Sequence, residues 1–146
     1  MANANIYLTY DGNCEEAFEF YRSVIGGEFS FVGRFKDVPI EEGQEPISKE
    51  NENKIMHISY PVGDKTVLMA TDKLGEWSPS DLKMGNNFSI YLGVDSKADA
   101  DKFFNGLSAD GTVTMAMNNT FWGSYFGMFT DKYGINWMIG YDEPQG

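Results

Sequence analysis

The chain has 146 residues, of which 42% are hydrophobic and 23% charged, and its formal net charge at pH 7 is -11. This length allows a core to be buried without disulfides or metals, and the composition excludes a disordered chain. The acidic balance argues against nucleic acid and anionic membranes as partners, because both attract Lys and Arg; it is compatible with a cationic or neutral small ligand, and equally with any acidic, soluble bacterial protein.

The cysteine count, the N-terminus and the hydropathy indicate a cytoplasmic protein. Cys14 is the single cysteine, so no disulfide can form within the chain. The N-terminus lacks the basic and apolar regions of a signal peptide, and no apolar run reaches the ~20 residues of a membrane span. We therefore expect no membrane partner.

The first predicted elements are a strand and a helix. Residues Ile6 to Tyr10 form the strand, and Asn13 follows as a candidate N-cap. Glu15 and Glu16 fall in the first helical turn, where the helix dipole favours acids. Apolar residues then recur at three- and four-residue spacing until Gly26-Gly27 ends the helix.

Three more strands complete the first half. They are predicted over Glu28 to Phe35, Lys54 to Val62 and Thr66 to Asp72, the last two joined by a turn at Gly63-Asp64-Lys65. The acidic segment from Asp37 to Asn53 has no apolar period and predicts a mobile loop.

The second half repeats this order of elements. A strand over Phe88 to Val94 and an N-cap at Ser96 precede a helix over Lys97 to Leu107. Three further strands follow, over Thr112 to Asn118, Ser124 to Thr130 and Ile135 to Tyr141.

The halves also match in letters, since Ile6-Tyr7-Leu8 before Asp11 corresponds to Ile90-Tyr91-Leu92 before Asp95. We therefore predict an α+β fold of two βαβββ modules in a single domain over 1–146. Module one spans about 4–73 and module two about 87–142, and the connection over about 74–86 carries Trp77 and Pro79. The helices are expected to cover one face of each sheet, and the other faces to curve around a groove.

The duplicated βαβββ order resembles the vicinal oxygen chelate superfamily, which includes glyoxalase I, extradiol dioxygenases and bleomycin resistance proteins. Within it, the sequence is most similar to the PhnB-like branch, also labelled demethylubiquinone methyltransferase-like. The motifs that carry the resemblance are Tyr7-Leu8-Thr9, Asp11 to Tyr21, Gly26-Gly27, Met56-His57, Gly85-Asn86-Asn87, Thr120 to Gly123, Asp131 to Gly134 and Trp137.

The resemblance implies which positions would hold a metal ion. Metal-dependent members place His, Gln or Glu on the first and fourth strands of each module, around one divalent ion. Counting from the motifs puts Ile6 and Met69 there in the first module, and Ser89 and Met138 in the second. These side chains do not suit a hard cation. The single histidine, His57, falls on the third strand, so we expect no metal centre of the family's kind.

The methyltransferase label is not supported by the residues. The sequence contains no G-x-G-x-x-G turn, and its antiparallel hairpins do not suit a parallel nucleotide-binding sheet. We expect no cofactor.

His57 is the candidate catalytic residue and also a candidate ligand-binding residue. Strand alternation puts Met56, Ile58 and Tyr60 on one face, and His57 with Ser59 on the other. An imidazole facing a groove suits general acid–base chemistry. The alternative is a hydrogen-bonded histidine with no chemical role.

The motif mapping turns Ser89, Tyr91 and Met138 toward the groove, and Asn87 is predicted to hydrogen-bond a ligand at its mouth, with a turn as the alternative. The other predicted residues are large aromatic and methionine side chains, which repack around varied molecules. The alternative is that they fill a core. Together with His57 and Ser59, the predicted ligand-binding residues are Met69, Asn87, Ser89, Tyr91, Trp122, Phe126 and Met138.

The orientation of the first strand is left open by the sequence. Counting back from the helix motif turns Ile6, Leu8 and Tyr10 toward the groove, whereas the internal match turns Tyr7 and Thr9 toward it. A one-residue slip exchanges the two faces.

We therefore expect a metal-independent small-molecule-binding protein, acting as a homodimer, whose ligand is cationic or aromatic. The alternative is a metal-dependent lyase, isomerase or dioxygenase of the same superfamily with a variant site.

Overall fold

The computed structural model describes residues 2–74 and 82–144. The chain divides into two compact units, 1–82 and 83–146. Trp77 and Pro79 of the predicted connection lie outside the described residues.

The first unit is a four-stranded mixed sheet with one helix. Its elements are β1 (Ile6–Tyr10), α1 (Cys14–Ile25), β2 (Phe31–Arg34), a 3-10 turn (Phe35–Asp37), β3 (Ile55–Val62) and β4 (Thr66–Asp72). The strand order is β1-β4-β3-β2; β1 pairs with β4 in parallel and the other neighbours are antiparallel.

The second unit has the same topology. Its elements are β5 (Ile90–Gly93), α2 (Lys97–Leu107), β6 (Thr112–Asn119), β7 (Ser124–Thr130) and β8 (Asn136–Asp142). The order β5-β8-β7-β6, with β5 parallel to β8, confirms the predicted α+β fold of two βαβββ modules. Neither helix of the described residues is long and apolar enough to cross a membrane.

In the first unit, α1 covers one face of the sheet with an aromatic core. Phe18 packs edge-on against Tyr10 of β1 and Tyr60 of β3, with ring centroids 6.0 and 6.2 Å apart. The hydroxyls of Tyr10 and Tyr21 are hydrogen-bonded at 2.9 Å. Tyr60 donates its hydroxyl to the carbonyl of Gly26 at the end of α1, and burial raises the pKa of Tyr60 to about 12.

In the second unit, α2 covers the equivalent face. Phe104 meets Phe129 of β7 edge-on at 5.2 Å, and Phe129 stacks on Trp137 of β8 at 6.4 Å. The side chains of Phe129, Trp137 and Ile139 are at most 1% exposed. We call the sheet face opposite the helix the open face of each unit.

The first helix begins at a buried carboxylate from the end of β4. Asn13 occupies the N-cap position as predicted, but its side chain makes no capping hydrogen bond. Instead Asp72, which is 1% exposed, accepts the backbone N–H of Cys14 at 2.9 Å and that of Ile55 at 2.8 Å. Asp72 therefore joins the starts of α1 and β3. The second helix begins as predicted, because the Ser96 hydroxyl accepts the N–H of Asp99 at 3.0 Å.

The second strand is shorter than the predicted Glu28 to Phe35. The chain turns directly after Arg34, where the Asp37 carboxylate accepts the Arg34 N–H at 3.0 Å. Residues 38–54 contain turns but no strand or helix, in agreement with the predicted loop. The fifth strand is likewise shorter than Phe88 to Val94.

An ion pair holds the end of β2 against the first turn of α1. The Arg34 guanidinium donates to both carboxylate oxygens of Glu15, at 3.0 and 2.6 Å. The hydrogen bond from Arg34 is the largest influence on Glu15 and, against a partial desolvation, it lowers the pKa of this carboxyl.

Replacing Asp72 tests the buried junction. Asp72→Asn keeps the shape of the side chain but removes its charge. One of the two backbone N–H groups, of Cys14 or Ile55, would then face an amide N–H instead of an acceptor oxygen. We therefore expect the free energy of unfolding to fall by about 2–3 kcal/mol. Urea denaturation measures it, with Asp64→Asn in the exposed β3–β4 turn as the matched control. Equal effects of the two substitutions would contradict the junction.

The Glu15 pair should contribute stability that depends on pH. Because folding lowers the pKa of Glu15, this contribution is complete above a glutamate's ordinary pKa of about 4.3 and is lost as pH falls through the lower folded pKa. We expect Glu15→Gln to cost up to about 1 kcal/mol at pH 7, the upper range for exposed pairs. The difference in unfolding free energy between Glu15→Gln and the wild type should disappear at acid pH. Glu42→Gln in the exposed loop is the control; a difference independent of pH would refute the assignment.

Candidate functional site on the open faces

One transverse row of side chains crosses the open face of the first sheet. Tyr7 of β1 pairs with Met69 of β4, Met69 pairs with Ser59 of β3, and Ser59 pairs with Phe31 of β2. Paired residues on neighbouring strands point to the same face. Tyr7 and Phe31 are 52% and 51% exposed, so both ends of the row present aromatic surface.

His57 lies between the two aromatic ends of this row. Its ring centroid is 5.7 Å from that of Tyr7 and 5.8 Å from that of Phe31. Its Nε2 is hydrogen-bonded to the Ser59 hydroxyl at 2.9 Å. The half-buried imidazole and hydroxyl therefore form a polar pair between two aromatic rings.

The row also determines the orientation of β1. Leu8 and Tyr10 are 5% and 0% exposed, and Tyr10 contacts α1. Tyr7 therefore belongs to the open face, as the internal sequence match indicated, and the count that turned Ile6 toward the groove is wrong.

A register irregularity changes the predicted alternation of β3. Arg34 pairs with Ile55 and Gly33 pairs with His57, which leaves Met56 as an extra residue. Its methyl group lies 3.3 Å from the place a Cβ on Gly33 would occupy, beside the Phe31 ring. Met56 therefore lies on the same sheet face as His57, not on the face of Ile58 and Tyr60. The reason is that a β-bulge inserts one extra residue and changes the alternation of faces.

The corresponding row in the second unit carries three methionines. Tyr91 of β5 pairs with Met138 of β8, Met138 with Met128 of β7, and Met128 with Met115 of β6. Met138 and Met128 are half-buried, and Met115 is exposed. Tyr7–Met69 and Tyr91–Met138 are therefore equivalent pairs in the two units.

Tyr91 lies flat over two glycines. Gly93 and Gly140 pair with each other on β5 and β8, and a Cβ on Gly140 would contact the Tyr91 hydroxyl and come within 2.8 Å of its Cζ. A Cβ on Gly93 would lie 3.4 Å from the ring. Burial raises the pKa of Tyr91, and the carboxylate of Asp142 raises it further.

Of the other predicted ligand-binding residues, Phe126 lies next to the Gly140 over which Tyr91 lies, because Phe126 pairs with Gly140. Trp122 is 57% exposed and its ring meets Phe126 at 6.1 Å. Asn87 and Ser89 lie just before β5, outside the paired register, with Asn87 exposed and Ser89 half-buried.

Cys14 has the environment of an unreactive thiol. Its side chain is completely buried in the first turn of α1. Burial raises the pKa of the thiol far above its ordinary value, and the carboxylates of Asp72 and Glu15 add to this effect. The thiolate required for nucleophilic chemistry is therefore disfavoured.

The described residues do not fit the divalent ion of metal-dependent relatives. Where the first and last strands meet on the open faces, the pairs are Tyr7–Met69 and Tyr91–Met138. Phenol and thioether groups are not the donors that a hard cation selects. Within residues 2–74 and 82–144, no group of three or more His, Cys, Asp and Glu could hold a metal ion.

Sequence reasoning left Tyr7 undecided and missed Phe31, Met128 and Asp142 as members of these faces. Only the pairing register identifies Tyr7, Phe31 and Met128, because each of them lies opposite a predicted residue on a neighbouring strand. The glycine at 140 was a usable signal, since a strand glycine often marks close approach by another group.

Adding a methyl group at Gly140 tests the position of Tyr91. Gly140→Ala should force the Tyr91 ring to move. Because the clash is with the far end of a side chain that is 53% exposed, the cost in unfolding free energy should be at the low end for overpacking, about 1 kcal/mol. In a Tyr91→Ala background the same substitution should cost much less. A double-mutant cycle in urea measures the difference, and equal costs in both backgrounds would contradict the contact.

Comparison with known proteins agrees with this architecture. The chain is 28% identical over 141 residues to Protein YjdN of Escherichia coli K12, covering 91% of this chain and 90% of YjdN. The solved structure of protein PA1353 from Pseudomonas aeruginosa matches with a TM-score of 0.82 and 38% identity, covering 99% of this chain and 100% of that one. A PhnB protein from Bacillus cereus shares the fold, with a TM-score of 0.74 and 21% identity over 96% of this chain and 99% of its own.

Membership of a family is shown by a match over nearly the whole chain. A model of the Glyoxalase/Bleomycin resistance protein/Dioxygenase superfamily matches residues 4–139. The resemblance inferred from the motifs is confirmed, and the chain belongs to the Glyoxalase/Bleomycin resistance protein/Dioxygenase superfamily.

Proposed function

We propose that this chain binds a cationic aromatic small molecule on its open sheet faces without a divalent metal ion. The observation that carries the proposal is the equivalence of Tyr7–Met69 and Tyr91–Met138, which places an aromatic ring beside a thioether where the first and last strands of each unit pair on the open face. Polarizable thioethers and aromatic rings bind planar apolar molecules without fixed geometry.

The first unit supplies two aromatic rings with a hydrogen-bonded polar pair between them. Tyr7 and Phe31 are about half exposed, and between them the His57–Ser59 pair can donate or accept a hydrogen bond. A few placed polar groups within an apolar lining are typical of small-molecule sites. We assign His57, Ser59 and Met69 to ligand binding, and no catalytic step is assigned to His57.

The second unit supports the cationic character of the ligand. The Tyr91 ring is half exposed and the Asp142 carboxylate is close enough to raise the pKa of its hydroxyl. Aromatic faces attract cations, and a nearby carboxylate adds to that attraction. Met138 pairs with Tyr91, Phe126 pairs with the Gly140 over which Tyr91 lies, and Trp122 contacts Phe126. With this aromatic surface and a net charge of -11, a cation is favoured over an anion. Asn87 and Ser89 are proposed as polar contacts at the start of β5.

The proposal also includes that the chain forms a homodimer in a bacterial cytoplasm. The relatives named above come from bacteria. The single cysteine suits a reducing compartment. Phe121 is 98% exposed next to Trp122, and an apolar pair of this kind is typical of a contact surface.

Calorimetric titration of EDTA-treated protein with proflavine, a planar aromatic cation, tests the proposed binding. We expect proflavine to bind and to raise the melting temperature, because a ligand of the folded state stabilises it. Anthracene-9-carboxylate, a planar anion, should bind about tenfold more weakly or not at all.

The control variants locate the site. Tyr91→Leu should weaken proflavine binding, whereas Tyr125→Leu should not, because Tyr125 lies on the helix side, where its hydroxyl donates to Asp101 of α2 at 2.6 Å. Binding that appears only after a divalent ion is added would overturn metal independence. Equal affinity for the two dyes, or no proflavine binding, would overturn the ligand class.

A further inference from the structure

Three thioethers lie side by side on the open face of the second sheet. Met138, Met128 and Met115 are register partners on β8, β7 and β6. Met128 lies between Gly127 and Phe129, and Phe129 faces α2, so Met128 faces away from the helix. Met138 does so for the same reason, between the buried Trp137 and Ile139. The three side chains therefore project from one face in one line.

The spacing allows the three sulfurs to converge. Neighbouring strands are about 4.8 Å apart, so the two outer backbones lie about 10 Å apart with Met128 midway. Methionine has three rotatable bonds, which lets the outer side chains lean toward the central one. Met128 and Met138 are half-buried and Met115 is exposed, so the row can be reached from outside while two of its side chains are partly shielded from water.

The irregular pairing of β6 makes this arrangement possible. The register shifts on both sides of Met115, between Val113 and Met115 and again between Met115 and Asn118. As a result Met117 turns to the opposite face, where its sulfur lies 2.6 Å from the place a Cβ on Gly127 would occupy. The equivalent row of the first unit holds one thioether, Met69, followed by Ser59 and Phe31.

We propose that Met115, Met128 and Met138 form a binding site for a soft monovalent metal ion, Cu(I) or its non-redox analogue Ag(I). Neutral thioethers select soft cations and discriminate against Mg²⁺, Zn²⁺ and Fe²⁺. Tyr91 pairs with Met138 at one end of the row, and the hydroxyl end of its ring lies over Gly140. This site does not depend on the proposed binding of an aromatic cation.

Titration with Ag(I) tests the site directly. All proteins carry Cys14→Ala, so that the thiol cannot take the metal, and methionines are labelled with carbon-13 at the methyl group. We expect one Ag(I) per chain, with the methyl resonances of Met115, Met128 and Met138 shifting together. Met128→Leu, which removes the central sulfur and keeps the volume, should weaken Ag(I) binding by about tenfold or more.

Met117→Leu is the matched control, because it removes a thioether from the same strand but from the opposite face. It should leave Ag(I) affinity within about twofold of the parent. Circular dichroism checks that each variant is folded. The proposal is overturned if Ag(I) does not bind, if the two substitutions weaken binding equally, or if the shifting methyls belong to Met56, Met69 or Met84. Proflavine binding in the absence of Ag(I) is measured separately, so either proposal can fail alone.

Discussion

Parallel pairing of the first strand of each unit with its last strand determines which residues reach the open faces. Once β1 lies beside β4 with Tyr7 opposite Met69, Leu8 and Tyr10 must face α1. The same pairing of β5 with β8 places Tyr91 opposite Met138. In the first unit, Asp72 holds this geometry by joining the start of α1 to the end of β4 and the start of β3.

The chemistry of the open faces depends on the side chains that meet where the first and last strands of each unit pair. A polar site for a divalent ion needs charged or imidazole donors that converge, whereas Tyr7–Met69 and Tyr91–Met138 present rings and thioethers. Such side chains gain free energy by removing apolar surface from water and by polarizable contact, which favours planar apolar molecules and soft ions. The same chemistry therefore accounts for both proposals, which share Met138 but otherwise rest on different side chains of the second unit.

The order of the elements could be predicted because each helix carries an apolar period and each strand ends in turn residues. The faces of the strands were harder, because alternation repeats every two residues and one extra residue reverses it. This is why Met56 was assigned to the wrong face and why Tyr7 stayed undecided. Asn13 has the residue type of an N-cap, yet Asp72, distant in sequence, makes the bond. Phe31 and Met128 became visible only through their partners on neighbouring strands.

The central claim is that these aromatic and thioether rows are the ligand-binding surface and need no divalent ion. Carbon-13 spectra of methionine methyl groups, recorded in EDTA while proflavine is added, test it most directly. The account predicts that the resonances of Met69, Met138 or both shift with saturation, while that of Met117, packed beneath the second sheet, stays in place. Shifts confined to Met117 or Met84, or shifts that appear only after a divalent ion is added, would contradict it.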